Sequence, residues 1–216
     1  MVSSLRSRVI ALVGAAGAVL ALGWAGAAAV RLYRSERLLE TTLQPDLERA
    51  VRLAPANSMA WARLGALLER EGDSAGAVRA LEQAVRWNPY NAAALVDLAL
   101  HWELAGDAAR AERALLQAQR VDGGAATHWA LVNFYLRQGV DERFWGAMQA
   151  ALRRSRSNLD PAFALCWRAS NDPNEILKKG LPDDPELHRA YFAFLAGRGQ
   201  KNARPEAAGK SEQKKR

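Results

Sequence analysis

The hydrophobic pattern along the chain changes character at residue 30. From Val9 to Val30 the sequence VIALVGAAGAVLALGWAGAAAV runs for 22 residues without a charge, enough to cross a hydrocarbon core of about 30 Å at about 1.5 Å per residue. Beyond it, apolar and polar positions alternate with the period of amphipathic helices, broken by Glu71-Gly72-Asp73 and Ala105-Gly106-Asp107. In each break the glycine suits the left-handed position that ends one helix, and the aspartate suits the cap of the next. The expected elements are therefore one long apolar helix followed by antiparallel helix pairs.

Those pairs repeat every 34 residues. Pro55 recurs as Pro89, Gly72 as Gly106, and Asp73 as Asp107 and Asp141; Leu47, Leu81 and Leu115 keep the interval, as do Ala50, Ala84 and Ala118. Arg52, Arg86, Arg120 and Arg154 keep it over four members. A helix pair of this size cannot bury its apolar face alone, so such units stack.

Trp61, Leu64-Gly65, Leu68, Ala77, Leu81, Ala84 and Pro89 resemble, in order, the signature of the tetratricopeptide repeat (TPR) family. A second unit follows with Leu95, Leu98, Ala99, Trp102, Ala111, Leu115 and Ala118, with Gly123 in place of the proline. A third opens with Trp129, Val132 and Leu136, then fills the small positions of its second helix with Trp145 and Leu152 and a large apolar position with Gln149. It should therefore be distorted, or pack on something other than a fourth repeat. Ahead of the first full unit, Leu43, Leu47, Ala50 and Pro55 match only the second half of a repeat. The resemblance implies an all-α fold, a TPR helical solenoid behind one N-terminal transmembrane helix.

The expected organisation is a basic tail over 1–8, a transmembrane helix over 9–30, a juxtamembrane helix or linker over 31–42, TPR units over 43–157, capping helices over 158–197 and a basic tail over 198–216. In the capping part, Asp160 precedes Pro161, Asp172 precedes Pro173 and Asp184 precedes Pro185, each a helix-start signal. The last tail has no apolar periodicity and is expected to be disordered, as a tether to acidic surfaces or as a solubilising segment.

In the family, the second, fifth, ninth and twelfth positions of each first helix face a concave groove. Carried over, these are Met59, Ala62, Ala66 and Glu69; Ala93, Val96, Leu100 and Glu103; and Thr127, Ala130, Phe134 and Arg137. The resulting wall is mostly apolar and lacks the Lys, Asn and Arg set with which chaperone-binding members grip a terminal carboxylate. An apolar groove implies a protein partner, as a helix or an extended segment, unless the chain's own C-terminal helices cover it. Gly14 with Ala18, and Gly23 with Ala27, are small residues four apart, a pattern that admits another transmembrane helix.

Composition strengthens the helical reading and narrows the chemistry. The 216 residues include 44 Ala but only 2 Ile and 3 Thr, a balance that favours helix over strand. The net charge of +7 is concentrated at the ends, +4 over 1–37 and +5 over 198–216, leaving −2 on the body. A body of that charge offers no phosphate-binding face, so no nucleic-acid partner is expected. The arginine series falls at the ends of second helices, either as a complement to the helix dipole or as an anion-binding stripe. His101, His128 and His188 are scattered, Cys166 is the only cysteine, and no catalytic, cofactor or metal-ligating set is expected.

The chain thus reads as a non-enzymatic, membrane-anchored TPR scaffold or adaptor, a subunit or an assembly factor of a membrane protein complex. The apolar segment is a retained anchor or a cleaved secretory signal ending at Ala25-Gly26-Ala27; its length favours the anchor. Arg6 and Arg8 favour a cytoplasmic N-terminus, with the repeats in the periplasm of a bacterial inner membrane, although Arg31, Arg34 and Arg37 oppose them. The alternative is a secreted periplasmic TPR protein that binds or exports envelope polysaccharide or peptidoglycan.

Overall fold

Alanine-rich segments form helices along the described residues, most of the repeat helices being capped by aspartate or asparagine. The computed structural model describes residues 2–41, 43–157 and 159–198, with side chains described from Val13 onward. The helices are α1 (Val2–Leu38), α2 (Gln44–Leu53), α3 (Ser58–Arg70), α4 (Ser74–Trp87), α5 (Ala92–Leu104), α6 (Ala108–Val121), α7 (Ala125–Gln138), α8 (Glu142–Arg154), α9 (Leu159–Ala169), the single turn α10 (Pro173–Glu175) and α11 (Pro185–Gly197), with a π-helical segment at Ile176–Gly180. No strand occurs among the described residues. The sequence-predicted breaks behave as their chemistry requires. Gly72 and Gly106 sit at φ 86° and 84°, and the carboxylates of Asp73, Asp107, Asp141, Asp172 and Asp184 accept from the first free amides of the helices that follow. One expected start is displaced: α9 begins at Leu159, so Asp160 lies within its first turn, where a carboxylate still favours the positive end of the helix.

The chain divides into two compact units, Met1–His101 and Trp102–Arg216. In the first, α3 and α4 approach closely at Gly65. A Cβ there would stand 2.9 Å from Cγ of Leu81 and 3.3 Å from the carbonyl oxygen of Ala77, so only glycine permits this spacing. The half-repeat is completed from an unexpected source. The end of α1 packs against α2 and α3, where Leu39 joins Leu47, Ala50, Val51, Ala60, Leu64 and Leu67 in one core, with Leu38, Trp61 and Leu68 at its margin. Ser35 is fully buried and accepts from Nδ2 of Asn57 at 3.2 Å, and the Arg63 guanidinium donates to the carbonyl of Leu39. The end of α1 therefore packs in the place that the first helix of a repeat would take. Val13–Leu38 is long and apolar enough, by length and composition, to cross a membrane, and its apolar window has no share buried in the chain.

In the second unit, the departures of the third repeat meet the segment that replaces a fourth. Trp145 is buried beside Gly180, where an added Cβ would come 3.0 Å from its ring and 3.4 Å from Sγ of Cys166. Gln149 donates from Nε2 to the carbonyl of Lys179 at 2.8 Å. The oversized ring and the polar side chain are thus explained by the π-helical segment they hold. Beyond it, Phe163 of α9 packs edge-on against Tyr191 of α11, with ring centroids 5.3 Å apart.

Candidate partner-binding groove

The sequence-predicted groove residues fall into the two units and are best described unit by unit. In the first, α3 presents Ala62, Ala66 and Glu69, and α5 presents Ala93, Val96 and Leu100. Met59 and Leu100 are 53% and 49% exposed, values that matter because large apolar side chains left open to water are the part of a surface that gains most from a partner. Ala66 and Ala93 are exposed; Ala62 and Val96 are half-buried. Between the two helices lies a cavity of about 180 Å³, lined by Gly65, Ala66, Leu81 and Leu100 on its apolar side and by Glu69, Asp97 and His101 on its polar side. Ala66, Glu69 and Leu100 thus line one concavity.

Of the polar residues of this cavity, Asp97 escaped the sequence reading, and His101 was read only as one of three scattered histidines. Asp97 and His101 are four apart on α5, each one position beyond the groove positions Val96 and Leu100. That i,i+4 spacing puts them on one face and was the available signal. Partial burial raises the pKa of Asp97 above the ordinary carboxylate value, and the nearby His101 opposes the rise. Nε2 of His101 lies 3.4 Å from Oε2 of Glu69, with the imidazole 10% exposed. The cavity therefore combines aliphatic walls with two carboxylates and an imidazole, a lining that accepts an apolar side chain ending in a donor or a cation.

The second unit treats its five candidates differently. Glu103 and Arg137, one repeat apart, form a two-pronged ion pair: Nε to Oε1 at 2.8 Å and Nη2 to Oε2 at 2.7 Å, with Gln138 donating to the same carboxylate at 3.2 Å. Hydrogen bonding from Arg137 holds the Glu103 pKa below the ordinary glutamate value, and the same bond raises Arg137. Ala130 is half-buried. Thr127 and Phe134, expected on the groove wall, are instead 3% and 2% exposed. The hydroxyl of Thr127 lies 2.6 Å from the carbonyl of Asp122 and 2.9 Å from that of Gly124, closing the turn that opens α7. Phe134 packs with its centroid 5.4 Å from Tyr135. Both are interior residues here, Thr127 because its hydroxyl is held by that turn and Phe134 because burying an aromatic ring contributes strongly to packing.

The remaining polar candidates are engaged locally. Nδ1 of His128 lies 2.9 Å from the carbonyl of Gly124, and Nε2 of His188 lies 3.0 Å from that of Pro182. Among the described residues no group of three His, Cys, Asp or Glu side chains is arranged to hold a metal ion. Cys166 is fully buried, and desolvation pushes its thiol up to about 12, which suits packing and not nucleophilic chemistry. On α1, Gly14, Ala18, Gly23 and Ala27 are all exposed, and a Cβ added at either glycine would meet nothing within 4 Å.

The fold is that of tetratricopeptide-repeat proteins. A crystal structure of MamA superposes with a TM-score of 0.54 at 17% identity, covering 74% of this chain and 88% of that one. PilF of Pseudomonas aeruginosa gives 0.58 at 16% identity, over 80% and 79% of the two chains. YrrB, described as a TPR protein with an unusual peptide-binding site, gives 0.51 at 13% identity, over 73% and 78%. No protein-family model matches the sequence, and no curated protein matches it either.

Proposed function

We propose that this chain is a membrane-anchored TPR scaffold that binds other proteins through a mostly apolar concave groove, which in the first unit lies between α3 and α5. The observation that carries the reading is the cavity in the first unit, where Ala66, Glu69 and Leu100 meet beside Asp97 and His101. A concavity with aliphatic walls and few polar groups binds a side chain or short segment of a partner. The similarity to YrrB, a protein with a peptide-binding site, supports the same use of this fold. The apolar span of α1 supports anchorage, and the exposed small residues Gly14, Ala18, Gly23 and Ala27 offer it a route to neighbouring transmembrane helices. The chain serves as a subunit or assembly factor of a membrane complex, its N-terminus cytoplasmic and its repeats periplasmic in a bacterial inner membrane.

The test is a photo-crosslinking amino acid at position 100, compared with one at exposed Glu82 on α4. Position 100 should capture one protein partner in native membranes, and Glu69→Lys with Asp97→Lys should abolish the capture while helicity by circular dichroism is unchanged. Equal capture from both positions, or none from position 100, contradicts the groove.

A further inference from the structure

The membrane-side edge of the first unit carries a second surface. The hydrogen bond of Asn57 to Ser35 sets the loop between α2 and α3 level with the stretch of α1 that leaves the apolar span. The same loop borders a cleft of about 560 Å³ with Ala28, Arg31 and Leu32 of α1 on one side and Arg52 to Asn57 on the other. The next loop of the same kind, between α4 and α5, lies at the same end of α3. Ser58, the first residue of α3, donates to the carbonyl of Ala84 at 2.9 Å and accepts from Nδ2 of Asn91 at 3.1 Å. Both loops therefore lie at one edge of the unit, beside the exit of the span. At about 1.5 Å per residue, Ser35 stands about 7–8 Å above Val30, close to the depth of one headgroup layer.

The side chains at this edge match that layer. Trp87 is 48% exposed and Tyr90 76% exposed, and on α1 Tyr33 is 63% exposed. Aromatic rings with a polar tip concentrate where a membrane meets water. Each loop follows an arginine of the 34-residue series, Arg52 or Arg86, and neither Ala54–Asn57 nor Asn88–Asn91 contains a carboxylate. Arg52 is 67% exposed and meets Glu48 only at 3.4 Å, which leaves other guanidinium donors for a phosphate. The opposite end differs in sign: the turn between α3 and α4, Glu71-Gly72-Asp73, holds two carboxylates and no cation.

We infer that this edge rests on the headgroup layer of the membrane that α1 spans, with Trp87 and Tyr90 seated among the headgroups and Arg31, Arg52 and Arg86 on lipid phosphates. The inference rests on the anchored reading above and adds to it a fixed orientation of the first unit: its α2–α3 and α4–α5 loops lie on an anionic bilayer surface and its turn Glu71-Gly72-Asp73 points away. Each cation in that layer strengthens attachment to an anionic surface about five-fold. It also gives the arginine series a use, at its first two members, beyond complementing helix ends.

The full chain in nanodiscs of phosphatidylethanolamine and phosphatidylglycerol, with a trace of nickel-chelating lipid, tests this. Nitroxide labels are placed by Ala56→Cys at the proposed contact edge and by Glu71→Cys at the opposite turn. Buried Cys166 stays in place, and the unsubstituted chain serves as the check that it does not react. Relaxation of the label at 56 should be enhanced several-fold over that at 71, and Trp87→Ser with Tyr90→Ser should erase most of the difference while the chain remains in the disc. Equal relaxation at both positions in a chain that stays in the disc overturns the docking and leaves anchorage standing. A chain that does not enter the disc at all overturns both. Loss of most of the difference in discs of phosphatidylcholine alone, which keep the phosphates but carry no net charge, is expected from the arginines, and its full persistence there overturns the part given to the anionic surface.

Discussion

Asn57 donates to Ser35 in the same way that Asn91, one repeat later, donates to Ser58. The two pairs are separated by 22 and 33 residues along the chain. The difference of eleven is close to three helical turns of about 3.6 residues, so α1 meets its neighbours with the correct face although it is displaced along its own axis. The first repeat thereby borrows the end of a helix whose apolar window within Val13–Leu38 has no share buried in the chain.

Asn57 has two tasks, since its side-chain oxygen also accepts from the amides of Met59 and Ala60 at the start of α3. Asn57→Asp should retain the cap and lose the donation to Ser35, costing about 1 kcal/mol. Asn57→Ala should lose both and cost about 2 kcal/mol. Thermal unfolding in mild detergent, followed at 222 nm, checks the order. Equal stability of the two variants contradicts the part given to Ser35.

Gly65 and Gly146 form a matched pair for substitution. Both are helical, but a Cβ on Gly65 would press on Leu81 at 2.9 Å, whereas one on Gly146 would meet nothing within 4 Å. Gly65→Ala should destabilise by about 1–3 kcal/mol, and Gly146→Ala should stabilise by about 0.5–1 kcal/mol. Unfolding midpoints moving in the same direction would contradict the packing described for α3 and α4.

The Glu103–Arg137 pair makes stability depend on pH in a defined sense. Because the Glu103 pKa is lowered in the folded chain, with Arg137 as the main cause, its contribution is fully present above the unfolded glutamate value of about 4.3 and is lost as pH falls through the lower folded value. Glu103→Gln should therefore be less stable than the parent at pH 7, by about 1 kcal/mol given that Arg137 is half exposed, and the gap should close under more acidic conditions. Measuring both midpoints from pH 7 downward checks the sign; a gap that widens on acidification contradicts it.

Trp145 and Gly180 test the substitute for a fourth repeat. Gly180→Ala pushes against the Trp145 ring at 3.0 Å and should cost about 1–3 kcal/mol. Trp145→Ala should cost about 3–5 kcal/mol through the cavity it leaves. In the double variant the two costs should fall short of additivity, because the space removed is the space the added methyl needs; strict additivity would show that they do not act on each other.

The repeat frame was legible because its punctuation is chemical. Gly72 and Gly106 adopt positive φ, and the aspartates one or two positions on cap helices, so both residue types report backbone geometry directly. Groove membership was less legible. The family positions put Ala66, Glu69, Leu100, Thr127 and Phe134 alike on a groove wall; the structure lines a cavity with the first three and buries the last two. Position within a repeat fixes the face of a helix only while the next repeat is regular, and the third unit packs on a π-helical segment instead. The role of the end of α1 was hidden for a related reason. The positions that would match Trp61, Leu64 and Gly65 one period earlier are Ala27, Val30 and Arg31, which suit a span and its exit, so the repeat signature is missing where Leu38 and Leu39 do its packing.

The most direct test of the account is purification of the native protein from membranes in mild detergent, with intact mass of the chain and of whatever accompanies it. The account predicts a chain that retains residues 9–30 and co-purifies in fixed proportion with a protein partner, the association being lost in the Glu69→Lys, Asp97→Lys variant. A soluble chain beginning near Ala28, with no protein bound, would contradict it.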